Sequence, residues 1–538
     1  MRNLWGGIVQ SKSRLALVFI LLATLGLRLT AIFWGVPTDA NARRYHPDET
    51  KIVRGAYEFP EHIWSNKDLR YPTALHYTVG LLALPLRLLP EEQRYRAVYL
   101  TARGFSLLLG ILSIWLIYLL GAKLRDDRVA LLSAFLLAFS VAHVTNSVWA
   151  TTDVATSFLL TAFLLTLWQF TRTPRASTAL IAGCVLGLLV GTKYTGILAL
   201  IPLTLTLFLI PAENFSGQKK FSKLLQYGLL MLGAGALIFA LTTPGALVYP
   251  KIFIESLLQE KERIARILQA RAQTPFLASQ FGALVQSQGP VLAVVSILGA
   301  FWYAASRKTW ALPLLGLLIA FILSTGNSIE LRYVIFIQPV LALFAADFLM
   351  DLARQPRRVF QWIGLGLIVV TGVQAVLYSF LGVAVRYSDS RDLAGAYVEK
   401  NIPAGSSIGM AYAAREFGWA WHAWKFPPVD FETRFQEKDM LAYPDYLIVS
   451  SNESDLIRAI LLQKPLTADF HFSEEEKAQF YGGVPPSLEV LRFYADVWEG
   501  RAYCPIRTFE ARVYIPVEFP PPTIQIYRLN PQRAPCAP

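Results

Sequence analysis

The chain has 538 residues, 54% of them hydrophobic and 16% charged, at a mean hydropathy of +0.41, which is too apolar for a soluble protein of ordinary make-up. Its formal charge of +12 is spread in short Lys/Arg clusters between apolar runs, a topological pattern that argues against nucleic-acid binding. Three cysteines without CxxC spacing argue against a thiolate metal site and leave a Cys504–Cys536 disulfide open.

In chain order, runs of roughly 20 apolar residues, the length that crosses about 30 Å of hydrocarbon, predict spans near 15–36, 98–121, 129–149, 154–171, 177–192, 196–211, 224–244, 289–305, 310–325, 333–351 and 361–385. The expectation is a polytopic α-helical membrane protein of about eleven transmembrane helices. The first run follows Arg2, Lys12 and Arg14 and lacks a small-residue cleavage site, so it reads as a retained signal anchor. Lys123, Arg125 and Arg128; Arg172 and Arg175; Lys219, Lys220 and Lys223; Arg307 and Lys308; and Arg354, Arg357 and Arg358 fall on alternate connections. The positive-inside rule then predicts a multi-pass protein of the plasma membrane with a cytoplasmic N-terminus.

Counting the apolar segment Tyr71–Leu89 as a span would reverse every later helix, and Pro72, Pro85 and Arg87 interrupt it. It is therefore expected to lie in the outer interface. Residues 1–385 form the transmembrane module, with external loops 37–97 and 245–288, the second carrying the helix-patterned ESLLQEKERIARILQARAQ. Residues 386–538 form an extracytoplasmic tail. Within it, RDLAGAYVEKNIPAGSSIGMAYA and DYLIVSS predict a small α/β domain, while the Pro-rich and aromatic-rich end carries no readable pattern.

The first external loop holds RRYHPDET, with Asp48 and Glu49 adjacent. Such a pair suits a reaction in which one carboxylate deprotonates an acceptor hydroxyl while the other orients it or binds a cation; the other reading is a solvated acidic loop. Asp153, in WATTDVATSF, falls on the same side of the membrane, either as a helix N-cap or as a second reactive acid. Arg103 in YLTARGFSLLLG, Lys193 in GTKYTG and Arg332 with Tyr333 in ELRYVIFIQP stand at the outer entrances of spans. Cations at that depth are costly unless they snorkel or meet an anion, and lipid phosphate lies at that level. Arg28, inside the first span, is expected to snorkel. His46 beside the two acids makes a thin ligand set, so a divalent cation is possible and no metal ligand is assigned. No GxGxxG-to-helix unit and no Walker motif is present, so no nucleotide site is expected.

HPDE, YPTALHY, an Arg-led span ending in YLLGAKL, an Asp after the third span, GTKYTG and RYVIFIQP occur in that order. Over roughly residues 15–350 the sequence resembles the GT-C superfamily of integral membrane glycosyltransferases, close to family 39. The resemblance implies a GT-C fold and inverting transfer of a sugar from a polyprenyl (dolichyl or undecaprenyl) phosphate donor to a hydroxyl of a glycan, lipid or protein acceptor, with no required cofactor. It implies Asp48 as base, supported by Glu49 and joined by Asp153. Arg103, Lys193, Arg332 and Tyr333 would meet the donor phosphate, and His46, Arg70 and Tyr71 the substrates. The first loop lacks the longer signature of the aminoarabinose transferases, and no carbohydrate-binding insert of the eukaryotic mannosyltransferases is seen, so the acceptor class stays open. A transporter of lipid-linked sugar and a polysaccharide polymerase or ligase are competing readings. Span centres nearly free of ionisable groups argue against the first, and an acidic pair in the first loop rather than a large late one argues against the second.

Overall fold

A computed structural model describes residues 2–36, 46, 48–210, 220–270, 275–306, 308, 310–410, 432–434, 443–464 and most of 466–536. Lys219 and Arg307 of the basic clusters, and the end of the strand expected in SIGMAYA, lie outside the described residues. Each predicted apolar segment is helical. We label the helices α1 (Arg2–Leu29), α2 (Glu49–Tyr57), α3 (Ala74–Ala83), α4 (Glu91–Leu124), α5 (Asp127–Ala138), α6 (Val141–Asn146), α7 (Thr152–Arg172), α8 (Ala176–Thr192), α9 (Leu200–Leu209) and α10 (Lys220–Thr242). There follow α11 (Pro250–Ala270), α12 (Phe276–Gln288), α13 (Pro290–Ala305), α14 (Ala311–Thr325), α15 (Gln338–Ala353) and α16 (Arg358–Ala384). Among the described residues, four helices are long and apolar enough to cross a membrane, or five if the bent pair α12–α13 is one span. The chain is a multi-pass helical membrane protein.

Several apolar runs are broken where the sequence reading had one span. The run 129–149 divides into α5 and α6, and the carbonyls freed at the break find side-chain partners, as buried helix ends require. Thr24 and Arg28 both donate to the Ala138 carbonyl (3.0 and 3.2 Å), and Ser379 donates to that of Phe139 (2.7 Å). Arg28 therefore does not snorkel. It is wholly buried, and its second terminal nitrogen lies 3.0 Å from Nδ1 of His143. The predicted span 289–305 begins at a corner, Gly289, whose φ of +85° favours glycine; there α13 meets at 119° the helix α12, which lies in the segment expected to be an external loop. The Gln374 carboxamide spans this corner, accepting from the backbone N–H of Val291 (2.7 Å) and Leu292 (3.1 Å) and donating to the Gln288 carbonyl (2.9 Å).

Ile117, Leu137, Leu164, Leu167, Phe170 and Phe344 are among the side chains of the bundle core. At the end of the bundle formed by the C-termini of α4 and α15, Arg125 and Lys308 hold the buried Asp347 and the nearby Asp351. These cations, read above as topological markers, therefore also fasten helices together.

Beyond α16 lies a five-stranded mixed sheet built from β1 (Ser407–Met410), β2 (Glu432–Arg434), β3 (Tyr446–Ser450), β4 (Tyr503–Phe509) and β5 (Ile524–Leu529), in the order β2-β1-β3-β5-β4. β1 runs parallel to β2 and β3, and β5 antiparallel to β3 and β4. Side chains alternate across β3, as the period of a strand requires. Leu447 and Val449 pack against α18 (Ser451–Gln463) and α19 (Leu488–Trp498), while Ile448 packs with Ile524 and Ile526 against α17 (Ser390–Asn401). The stretch that carried no readable pattern supplies β4 and β5, and Cys504 in β4 is disulfide-bonded to Cys536.

Candidate active site

The acidic pair opens α2, and its two members have different surroundings. Glu49 is fully buried and held from three sides. Arg103 forks onto it with two 2.8 Å bonds, the Tyr99 hydroxyl donates to the same carboxylate, and so does the backbone N–H of Ala150 (2.8 Å). Arg103 is fully buried as well. It donates to the carbonyls of Ile32 (2.8 Å) and Trp34 (2.6 Å), and its guanidinium lies 4.6 Å from the Trp149 ring. Expected at the donor phosphate, Arg103 is instead occupied by Glu49. Such a pair in a dry interior fixes geometry, because removing either member leaves an uncompensated charge.

Asp48 stays a quarter exposed and receives a hydrogen bond from Arg332. Its own backbone N–H donates to Nδ1 of the buried His46 (3.2 Å). Burial alone would raise the Asp48 carboxyl, but the charge of Arg332, followed by His46 and Lys51, outweighs it and holds the group below the usual carboxylate range. Burial, then the Asp48 charge, pushes the Tyr71 phenol up, and Lys51 Nζ sits 3.7 Å from the centre of the Tyr71 ring.

Asp153 lies in the first turn of α7, but the N-cap residue is Thr151. The capping alternative is thus set aside: its carboxylate turns to Lys193 Nζ at 2.5 Å. Lys193 follows the last residue of α8, and Arg332 precedes a short 3₁₀ turn, Tyr333–Phe336, that leads into α15. Both cations flank one aromatic ring, with Lys193 Nζ 5.2 Å and the Arg332 guanidinium 5.5 Å from the centre of Tyr333. Asp48, Arg332, Tyr333, Lys193 and Asp153 therefore form one continuous cluster. Arg70, by contrast, forks onto Asp68 with two 2.8 Å bonds at an exposed position.

Other members were not read from the sequence. Glu330 pairs with Arg332 at 3.1 Å. From α11, Arg263 pairs with Glu260 and reaches Tyr333. The i,i+3 spacing of Glu260 and Arg263 was visible, but nothing in it told which face of the helix would meet Tyr333. Among the described residues no group of three or more His, Cys, Asp or Glu side chains is placed to hold a metal ion.

Residues 97–244, which contain Arg103, Asp153 and Lys193, match the family model described as dolichyl-phosphate-mannose-protein mannosyltransferase. The match takes in three of the candidate site residues and stops short of Asp48 and Arg332. The chain shares its fold with the archaeal oligosaccharyltransferase AglB from Archaeoglobus fulgidus, solved with an inhibitory peptide and a dolichol-phosphate: TM-score 0.55 at 12% identity, over 97% of this chain and 88% of that one. The Archaeoglobus fulgidus oligosaccharyltransferase tethered with an acceptor peptide containing the NVT sequon gives 0.53 at 13% identity, over 96% and 88%. ArnT from Cupriavidus metallidurans, bound to undecaprenyl phosphate, gives 0.49 at 15% identity, over 83% and 94%. No curated protein sequence matches the chain.

Proposed function

We propose that the chain transfers a sugar from a polyprenyl-phosphate donor to an acceptor hydroxyl, with inversion, and that Asp48 is the general base. On this reading the eleven apolar helical segments are eleven spans, and the end of the bundle bearing the site is extracytoplasmic. The observation that carries the proposal is the juxtaposition of the accessible Asp48 carboxylate with two cations, Arg332 and Lys193, beside Tyr333. The acceptor oxygen forms a bond to the anomeric carbon as the bond from that carbon to the phosphate oxygen breaks. The acceptor proton passes to Asp48, and the charge left on the polyprenyl phosphate is met by Arg332 and Lys193.

Arg332 serves both sides of this reaction. Without donor it holds Asp48 ionised but weakly basic. A phosphate drawn to Arg332 and Lys193 competes with Asp48 for the guanidinium and so frees the carboxylate as a stronger base when there is a donor to use it on. Glu49 stands one residue away from Asp48 but acts through position alone, since its acceptor capacity is taken up by Arg103, Tyr99 and the Ala150 N–H. His46 and Tyr71, close to Asp48, are placed to meet the sugar or the acceptor.

The test is incubation of the purified protein with a panel of polyprenyl-phosphate sugars beside Asp48→Asn, following release of polyprenyl phosphate by mass spectrometry. Release by the wild type and not by the variant is expected. Release by both moves the base elsewhere, and consumption of no donor, with or without a membrane extract supplying acceptor, overturns the donor class.

A further inference from the structure

The first turn of the tail bonds to the segment that leads into the acid loop. Asp389 caps α17, accepting from the backbone N–H of Arg391 (3.0 Å), and the Arg391 guanidinium forks onto the same carboxylate (2.7 and 2.6 Å). All three residues of this turn, Asp389, Ser390 and Arg391, are at most 2% exposed. The other carboxylate oxygen of Asp389 receives the indole N–H of Trp34 at 2.9 Å. Those residues are 355 apart in sequence, so the bond joins the tail to the segment that follows α1.

From Trp34 two contacts lead to the reacting carboxylate. The Trp34 carbonyl accepts from Arg103 (2.6 Å), which forks onto Glu49, next to Asp48. The Trp34 ring packs on Trp149 at 5.0 Å between centres, and Trp149 packs on His46 at 5.5 Å, whose Nδ1 receives the Asp48 N–H. The residue that accepts the Asp48 N–H and the residue that follows Asp48 are thus each held by a group in contact with Trp34. Buried chains of hydrogen bonds and packed rings of this kind restrict one another, and a misplacement of about 1 Å at a reacting group can cost roughly 10²-fold in rate.

We propose that Asp389 and Trp34 are positioning residues for Asp48, and that the tail, through its first turn, is part of the catalytic scaffold rather than an appendage to it. The proposal rests on the reading of Asp48 as base. A buried carboxylate held by its own arginine is a rigid acceptor, so the indole it holds is a fixed reference, which a loop approached by donor and acceptor would otherwise lack.

The experiment is a double-mutant cycle on full-length protein in detergent, with Trp34→Phe, Asp389→Ala and the pair, beside Asp48→Asn. Donor consumption gives kcat and KM, and its pH profile gives the acid limb. Trp34→Phe keeps an aromatic ring, a smaller one, against Trp149 and removes the donor of the bond. The expected result is a fall in kcat of about 5- to 30-fold for each single variant, the same fall for the pair, a donor KM within about 2-fold of wild type, and a displaced acid limb. A wild-type kcat in Trp34→Phe, additive losses in the pair, or losses that merely track a lower fraction of monodisperse protein overturn the proposal. Activity in Asp48→Asn sinks the base assignment instead, and the cycle still reports whether the tail turn governs turnover.

Discussion

Arg332 donates a hydrogen bond to the Asp48 carboxylate, although 284 residues separate them in sequence. The contact joins the N-cap of α2 to the entrance of α15, and it sets the protonation behaviour of the proposed base. Substituting Asp48 by Asn keeps the shape and removes the proton acceptor. The expected loss in kcat is about 10²- to 10⁴-fold, as for removal of a general base, with donor binding to detergent-solubilised protein retained in a direct titration.

The same contact makes a pH prediction with a definite sign. The folded-state carboxyl of Asp48 is depressed, so its contribution to stability is present above the unfolded value of about 3.9 and is lost as pH falls through the lower folded value. Activity requires the ionised form and follows the folded value of whichever state binds substrate. In Arg332→Ala, burial is opposed only by the remaining cations, so the acid limb of kcat/KM moves to higher pH. An acid limb that stays in place while kcat falls would show that Arg332 acts on the donor alone.

Lys193 and Asp153 form the partner pair of the cluster. Lys193→Met leaves Asp153 without its cation in a nearly closed site and removes one of the charges beside Tyr333. Donor KM is expected to rise about 10-fold or more, since a charge-assisted contact contributes roughly 1.5–3 kcal/mol. Asp153→Asn keeps the cation and frees it, so its effect on KM should be smaller than that of Lys193→Met; isothermal titration with a polyprenyl phosphate ranks the two.

Glu49 and Arg103 should behave as a structural unit. Either Glu49→Ala or Arg103→Ala leaves an unpaired buried charge and is expected to destabilise by about 3–5 kcal/mol. The double variant should lose less than the sum of the two, as residues sharing one network do. Thermal unfolding in detergent, read from all four members of the cycle, measures this coupling. Additive losses would show that the pair contributes little beyond packing.

The residues by themselves determined the membrane class and the positions of the apolar helical segments, and singled out Asp48, Glu49, Asp153, Lys193 and Arg332 as candidates, because apolar run length and the cost of charge near lipid act along the chain. They also pointed to the helix and strands of 391–413 and 445–451, where period and turn residues are local. Only the tertiary structure decided which acid stays reachable. Asp48 and Glu49 are adjacent and equivalent in sequence, yet α2 turns one outward to Arg332 and the other inward to Arg103. It also decided that Arg28 and Arg103 are consumed within the fold, since a broken helix and a buried carboxylate supply partners that no neighbour in sequence announces. The bond from Trp34 to Asp389 was illegible for the same reason: an indole and a carboxylate carry no mark of each other until packing removes water from both.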